Sequence, residues 1–206
     1  MIKVRITYTK MGWLKYTSNL DVQKLWERAI RRARLPLAYS QGYHPKPRMN
    51  LAAPLPLGFS STAELIDIWF TEEISTAEIQ ERLTGKFPSG IEIQQVEQIE
   101  LSGASLQSLV ADGEYIIELR IDLPIEELKS KVAGVLQSET IIRTRRNKEY
   151  DLRPLIQDLH IVDNSHLAAR LTMLPKATGR PEEVLQAMQI DPNDARIERT
   201  ALILAE

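Results

Sequence analysis

The two halves of this 206-residue chain show the same succession of predicted strands and helices. Apolar and polar residues alternate over residues 1–8, as in a half-buried strand, whereas apolar residues over residues 20–33 recur with a helical period. The same patterns predict strands 13–17, 62–70 and 91–101 and helix 76–85 in the first half. In the second half they predict strands 115–121, 140–145, 166–174 and 196–204 and helices 124–137 and 181–188. This succession constrains the fold more than any other feature.

The order of these elements predicts an α+β protein built from two tandem ferredoxin-like (βαββαβ) halves. A unit of this kind forms one antiparallel sheet with both helices on one face. Residues 102–112 are mostly small and polar, so we expect the junction between the halves there. The predicted domains are residues 1–104 and 112–206.

Composition excludes several classes of protein. Hydrophobic residues make up 43% of the chain, which is ordinary for a packed globular protein. The sequence shows neither a long apolar run nor a signal-peptide pattern, so we expect a cytoplasmic protein without a membrane span. The absence of cysteine excludes disulfides, thiolate metal sites and cysteine-held iron–sulfur clusters. Motifs of phosphate-binding loops, dinucleotide sites, serine hydrolases and metalloproteases are also lacking, and we expect no cofactor in this chain.

Charge is distributed unevenly, although the net charge is only -2. Residues 1–50 contain eleven basic and two acidic side chains, whereas residues 51–110 contain nine acidic and two basic ones. A segregated basic region in a weakly acidic protein indicates a polyanionic partner, because phosphate contacts gain affinity through counterion release.

Part of this positive charge lies on one face of the predicted helix 20–33. The cations that share this face are Lys24, Arg28, Arg31 and Arg32. Like charges four residues apart weaken a helix by a few tenths of a kcal/mol, and Glu27 is the acidic residue near them. Two interpretations stay open, which are a solvated surface and a phosphate-binding face.

Residues 35–58 show no sustained period and contain five prolines, so they predict a long, stiff loop with a binding role. Aromatic and cationic side chains stack on bases and hold phosphates in complexes with single-stranded nucleic acid. The candidate nucleic-acid-binding residues of this loop are Tyr39, Gln41, Tyr43, His44, Lys46 and Arg48. The alternative is that the tyrosines pack on the protein's own core and that His44 caps a backbone carbonyl.

His44 is the one candidate for catalysis, as a general acid or base. No carboxylate near it in the sequence would orient the ring, so we assign no catalytic residue. His160 and His166 lie six residues apart, a spacing that matches no metal-binding motif, and no metal site is predicted.

A second polar cluster accompanies the predicted strand 140–145. Its members are Arg143, Arg145, Arg146, Asp151 and Arg153. Arg145 and Arg153 have the chemistry to bind phosphate from a strand and a turn. The interpretation that we prefer is structural, with an Asp151–Arg153 ion pair that fixes the turn before Pro154.

Several motifs together point to a known family. They occupy residues 18–21, 27–33, 35–47, 54–58 and 151–154. The chain resembles the uncharacterised DUF2344 family of radical SAM-linked proteins from about Val4 to the last strand. The family more often has Phe-Asn-Pro-His-Pro where this chain has Tyr43-His44-Pro45-Lys46-Pro47, so the imidazole is displaced by two positions.

The resemblance implies a partner protein. Members of the family occur fused behind a radical SAM domain or as separate chains encoded near such a protein, often near ribonuclease E/G. This chain lacks the CxxxCxxC motif that would hold the cluster, so any radical chemistry would belong to the partner.

The resulting hypothesis is a non-catalytic accessory protein of a radical SAM enzyme that binds or presents structured RNA, such as tRNA or rRNA. One alternative is an RNA-processing or RNA-modifying enzyme that uses His44. Another is a protein–protein docking module for the radical SAM partner. A single cleft formed by the basic helix and the proline-rich loop would favour RNA binding, whereas placement on opposite sides would weaken that hypothesis.

Overall fold

The computed structural model describes residues 1–174 and 177–205 and divides the chain into two compact units, Met1–Leu109 and Val110–Glu206. Each unit combines α-helices with antiparallel strands, so the predicted α+β class is confirmed. Independent folding of two domains stays a prediction. No helix within the described residues is long and apolar enough to cross a membrane.

Unit 1 consists of β1 (Ile2–Lys10), α1 (Asn19–Arg32), β2 (Met49–Leu51), β3 (Ser60–Phe70), α2 (Thr76–Leu83), β4 (Ile93–Ile99) and α3 (Leu106–Leu109). Its strands lie in the order β4-β1-β3-β2, and all neighbours are antiparallel. The register pairs Val4 with Ile68 and Ile6 with Ile66. Alternate side chains of β1 and β3 therefore share one apolar face.

Helices α1 and α2 pack on this same apolar face. Trp26 and Ile30 of α1 and Ile79 and Leu83 of α2 are buried in one core with the apolar side chains of β1 and β3. The helical period of apolar residues in α1 therefore reflects its contact with the sheet. The charged residues of α1 lie on its opposite face.

Both ends of α1 have hydrogen-bond partners. At the N-terminus the Ser18 hydroxyl accepts from the Asp21 backbone N–H at 3.2 Å and so caps the helix. At the C-terminus the Arg82 guanidinium donates to the carbonyl oxygen of Ala33 at 3.0 Å and to that of Arg34. Arg82 thus satisfies carbonyls that a helix end leaves free and connects α2 to the end of α1.

The predicted return strand 13–17 is wrong. Gly12–Tyr16 form a 3-10 helix that leads into α1. Gly12 has a φ of 59°, so the chain turns away from β1 at this residue instead of folding back along it. The edges of β1 are occupied by β3 and β4, which leaves no place for a hairpin partner.

Unit 2 consists of β5 (Val110–Leu119), α4 (Ile125–Gln137), β6 (Ile142–Arg145), β7 (Lys148–Asp151), β8 (Ile156–Ile161), β9 (His166–Leu174), β10 (Ala177–Thr178), α5 (Pro181–Ala187) and β11 (Ala195–Leu204). Strands β11, β5 and β9 are consecutive neighbours, and both β8 and β10 pair with β9. Strands β6 and β7 form a separate antiparallel hairpin.

Three strands of unit 2, β7, β8 and the two-residue β10, are not predicted by the sequence patterns. The predicted strand 140–145 corresponds to β6, and its partner β7 follows a two-residue turn at Arg146 and Asn147, whose φ angles are 50° and 61°. In β8 the two buried side chains, Ile156 and Leu159, lie three residues apart. This spacing hides the alternation by which a strand is recognised.

Candidate nucleic-acid interface

An open groove of about 650 Å³ lies beside α1 in unit 1. The residues that line it are Leu25, Arg28, Arg31, Arg32, Gly85, Lys86, Phe87 and Pro88. Three of the four cations predicted on α1 are among them, and the remaining cation comes from the loop between α2 and β4. Lys24 is not among them and lies 3.4 Å from the carboxylate of Asp21. We call this feature the basic groove.

Aromatic contacts hold the α2–β4 loop against α1. The buried ring of Trp26 lies 4.6 Å from the ring of Phe87 and 5.0 Å from that of Tyr8, edge-to-face in both pairs. Gly85 follows α2 with a φ of 71°, a backbone conformation that glycine adopts without strain and that turns the chain. Lys86 is therefore placed at the groove beside the arginines of α1.

The basic groove has an excess of positive charge. Arg31 pairs with Glu27 at 2.5 Å across one helical turn. The side chains of Arg28, Arg32 and Lys86 form no hydrogen bond or ion pair with the described part of the chain. An anion that enters the groove would relieve the repulsion among these like charges.

The proline-rich loop of residues 35–58 is interrupted by β2, which the sequence does not predict, and before β2 it contains a closed, hairpin-like segment. The Ser40 N–H donates to the Lys46 carbonyl and the Arg48 N–H donates to the Ala38 carbonyl, each at 2.8 Å. The Ser40 hydroxyl also accepts from the Lys46 N–H at 2.9 Å. These bonds restrain the loop in addition to its prolines, and they present Tyr43 at the tip.

The tyrosines of this loop do not pack in the core. The Tyr43 side chain is fully exposed, and the Tyr39 side chain is 43% exposed. His44 and Gln41 are exposed as well, and His44 makes no hydrogen bond to any described carbonyl or carboxylate. The alternative interpretation, in which the tyrosines pack inward and His44 caps a carbonyl, is wrong.

Arg48 extends from the loop to the sheet face that is opposite α1. Its guanidinium carbon lies 5.1 Å from the centroid of the Trp69 ring, and Lys3 Nζ lies 4.9 Å from the same centroid. Trp69 and Lys3 are partners in the β1–β3 register and alternate with the residues of the apolar face. Since no described residue of the loop lines the basic groove, helix and loop do not share this groove, and the RNA hypothesis loses the support that a common cleft would give it.

A buried cluster of charges lies on the same face as Trp69. The Asp67 carboxylate accepts from Arg5 Nε at 2.8 Å and lies 3.1 Å from Lys3 Nζ. Asp67 is fully buried, and the two cations are nearly so. Lys3 and Arg5 belong to the basic excess of residues 1–50, but these contacts remove them from any exposed phosphate site.

Arg145 has a structural position in unit 2. Its guanidinium forms an ion pair with Glu183 at 2.5 Å and donates to the Thr178 carbonyl at 3.0 Å and to the Tyr150 hydroxyl at 2.8 Å. These contacts connect the β6–β7 hairpin to α5. Burial, followed by the hydrogen bond to Glu183, raises the pKa of Tyr150 to about 12, so the phenol stays protonated at neutral pH.

Asp151 and Arg153 also stabilise the local backbone. The Asp151 carboxylate accepts from the Arg153 backbone N–H at 3.0 Å, and the Arg153 guanidinium donates to the Leu136 carbonyl at the end of α4, also at 3.0 Å. The two side chains do not pair with each other, so the preferred interpretation was right about a structural role and wrong about the ion pair. Arg143 is half-buried on β6, and Arg146 is exposed at the hairpin turn.

The remaining histidines each face an aspartate. His160 Nδ1 lies 2.8 Å from Asp158, and His166 Nδ1 lies 2.9 Å from Asp163. The Ser165 hydroxyl approaches that same Nδ1 of His166, so these three residues do not form the relay of a hydrolase, which uses both ring nitrogens. In the part of the chain that the structure describes, no group of three side chains is suited to a metal ion.

The sequence matches the family described as an uncharacterized protein conserved in bacteria (DUF2344) over residues 3–184. The chain therefore belongs to the DUF2344 family, as the motifs predict. The match concerns the family alone, and the link to a radical SAM enzyme stays a prediction. No curated protein matches the sequence.

Several solved structures share a distant likeness with this chain. An H/ACA ribonucleoprotein bound to a substrate RNA containing 2'-deoxyuridine has 11% identity and a TM-score of 0.48, with 98% of this chain and 47% of that chain covered. A Cbf5-Nop10-Gar1 complex has 10% identity and a TM-score of 0.44, with 96% and 48% covered. The acetolactate synthase small subunit of Thermotoga maritima has 12% identity and a TM-score of 0.26, with 100% and 96% covered. The chain spans about half the length of the first two, and at these scores the likeness carries no argument about function.

Sequence reasoning missed Lys86 and Phe87. Both lie within residues 51–110, where acidic side chains predominate. A count of charges over this region therefore does not indicate a basic site. A local signal exists in Gly85-Lys86-Phe87-Pro88, where a glycine turn and a proline enclose a cation and an aromatic residue directly after a helix. Like the proline-rich loop, this segment combines glycine, proline, a cation and an aromatic residue.

Proposed function

We propose that this chain is a non-catalytic accessory protein that binds structured RNA through the basic groove. The observation that supports this proposal is that Arg28, Arg32 and Lys86 line one open groove and that their side chains form no ion pair with the described residues. Arginine presents several N–H groups in a planar fork that matches phosphate oxygens, and lysine adds a point charge. Arg31 supplies a fourth cation, although its ion pair with Glu27 offsets part of its charge.

The groove suits a nucleic-acid backbone better than a single small anion. Its cations come from two elements, α1 and the α2–β4 loop, and they line an open groove with a volume of about 650 Å³. Leu25 and Phe87 add an apolar contact for a sugar or a base. A folded RNA such as a tRNA or an rRNA fragment offers both phosphates and exposed bases.

The test is a fluorescence-anisotropy titration of a labelled tRNA with three variants, each of which reverses the charge of one lysine. We expect Lys86→Glu to weaken binding about tenfold or more at low salt, because it replaces a phosphate contact by a repulsive charge. Lys148→Glu in unit 2 is the matched control and should leave the affinity unchanged. Equal affinity of wild type and Lys86→Glu would contradict the proposal, as would the absence of binding by the wild type.

The predicted role of the loop in RNA binding is examined by a third variant, Lys46→Glu. Its result is independent of the groove, because no described loop residue lines it. A loss similar to that of Lys86→Glu would extend the RNA surface to the loop, as the sequence predicts. Unchanged affinity would restrict the RNA surface to the groove.

We further propose that the loop docks the radical SAM partner implied by the family. The support is the fully exposed ring of Tyr43 on a segment closed by backbone hydrogen bonds. Tyrosine is enriched in protein interfaces because it buries a large area at low entropic cost. The loop thus has the chemistry of an anchor for another protein.

Co-expression with the radical SAM protein tests this docking. We expect the two chains to co-purify after nuclease treatment and Tyr43→Ala to reduce the recovered partner several-fold, because hot-spot tyrosines carry a large share of interface energy. Lys86→Glu, which changes the groove but not the loop, should leave recovery unchanged. Nuclease-sensitive recovery would instead show that RNA bridges the two proteins.

We assign no catalysis to His44. Its ring is exposed, and among the described residues no carboxylate orients it, whereas a general acid or base normally depends on such a partner. The alternative of an RNA-processing or RNA-modifying enzyme would gain support from RNA cleavage or modification by the isolated chain that is lost in His44→Ala.

We also propose that each unit has the ferredoxin-like topology. The strand order β4-β1-β3-β2, with α1 and α2 on one face, supports this for unit 1. The order β11-β5-β9-β8, with α4 after β5 and α5 after β9, supports it for unit 2. The β6–β7 hairpin is then an insertion between α4 and β8.

A further inference from the structure

An exposed tryptophan lies on the 3-10 helix Gly12–Tyr16 of unit 1. The side chain of Trp13 is 88% exposed and that of Tyr16 is 59% exposed, whereas the other two tryptophans, Trp26 and Trp69, are buried. No residue of this short helix is buried. A large aromatic ring in water has apolar area to bury and an N–H to donate, and such rings recur at binding surfaces.

The backbone that presents Trp13 is held in place. The Met11 N–H donates to the Gly90 carbonyl at 2.9 Å, and the Gly58 N–H donates to the Lys15 carbonyl at 2.9 Å. A Cβ at Gly90, where φ is 104°, would lie 2.4 Å from the Met11 carbonyl oxygen, so the close approach requires glycine. Leu14, next to Trp13, packs against the core.

The α2–β4 loop both lines the basic groove and contacts the segment that carries Trp13. The α2–β4 loop contributes Lys86 and Phe87 to the groove and bonds to Met11 through Gly90. Lys86 and Gly90 are four residues apart, and four residues of extended chain span at most about 14 Å. The groove and the hydrogen bond to Met11 are therefore close to each other. The cations and the exposed ring thus lie within the reach of one nucleic-acid strand.

From this arrangement we infer that Trp13 stacks on an unpaired base of the RNA whose phosphates occupy the basic groove. The inference rests on the proposed RNA binding and adds to it a preference for RNA with a single-stranded segment. A base stacks on an indole through its π-face, whatever its sequence. Lys15, whose Nζ lies 5.1 Å from the Tyr16 ring centroid, is adjacent and available to the next phosphate.

The test compares a blunt RNA duplex with the same duplex carrying a single-stranded overhang. Trp13→Ala should weaken binding of the overhang RNA roughly 5- to 150-fold and leave the blunt duplex unaffected. Trp13→Phe, which keeps a ring, should retain most of the affinity. Leu57→Ala is the control for apolar contact without stacking, since Leu57 is also exposed and lies next to Gly58, and it should change neither affinity.

Tryptophan fluorescence gives a direct readout in the same titration. Because Trp26 and Trp69 are buried, quenching by the overhang RNA should come from Trp13 and disappear in Trp13→Phe. Unchanged affinity of Trp13→Ala for the overhang RNA would overturn the stacking while leaving the groove intact. An equal loss with Leu57→Ala would also overturn it, and failure of the wild type to bind either RNA would overturn both proposals.

Discussion

Replacement of Asp67 by alanine is expected to lower the free energy of unfolding by about 3–5 kcal/mol, because it leaves two buried cations without their counter-ion. The carboxylate accepts from Arg5 at 2.8 Å and lies 3.1 Å from Lys3 Nζ. The Asp67 side chain is fully buried, and only 5% of the Lys3 side chain is exposed. Removal of the carboxylate would leave two charged side chains in the interior without their hydrogen-bond acceptor, which is the uncompensated burial that destabilises the fold.

Urea denaturation followed by circular dichroism measures this loss. The matched control is Glu126→Ala, which also removes a carboxylate in contact with a lysine, Lys129 at 2.7 Å, but on an exposed surface. The control should cost less than about 1 kcal/mol, because solvent screens the pair. A loss of similar size for both variants would mean that burial does not govern the Asp67 cluster.

The same cluster explains why a count of charges overstates the phosphate-binding surface. Of the basic side chains in residues 1–50, Lys3 and Arg5 pair with Asp67, and Lys10 donates from a buried position to the Thr17 carbonyl at 2.9 Å. Charge segregation along the chain is visible in the sequence. Whether a given cation faces inward depends on strand register and on contacts between distant residues.

The elements of unit 1 that depend on local patterns could be predicted. Helix α1 follows from its apolar period over residues 20–33, and the structure places it at Asn19–Arg32. The 3-10 helix Gly12–Tyr16 could not be predicted, because Trp13 and Tyr16 also suit a strand and only the pairing of β1 decides against one. The pairing of β1 with β3 and β4 thus overrides the strand propensity of residues 13–17.

The candidate site was predictable only in part, for a related reason. The period of α1 places Arg28, Arg31 and Arg32 on one face, as the structure does. Lys86 joins them through the contact between Trp26 and Phe87, which are 61 positions apart in the sequence, and no local pattern reports such a contact. Conversely, the loop is adjacent to the helix in sequence, yet its Arg48 is placed on the other face of the sheet.

Replacement of Arg28, Arg32 and Lys86 together by alanine is expected to have the largest effect on RNA binding. Each phosphate contact contributes about 0.9 to the slope of log K against log salt on a duplex, so three contacts make the slope shallower by about 2.7. The same relation predicts a loss of affinity of roughly 10²–10³-fold at 0.1 M salt. Anisotropy titrations of a duplex RNA over a series of salt concentrations measure both quantities.

A triple variant with the same change in net charge separates local contacts from the overall field of the protein. Arg120, Lys129 and Lys148 are exposed cations of unit 2, and their joint replacement by alanine removes the same three charges elsewhere. Contact with phosphates in the groove predicts an unchanged slope for this control, because counterions are released only where phosphates are neutralised. Equal changes of slope in the two triple variants would mean that the protein attracts RNA through its total charge. This result would contradict the proposal that the groove is the binding site.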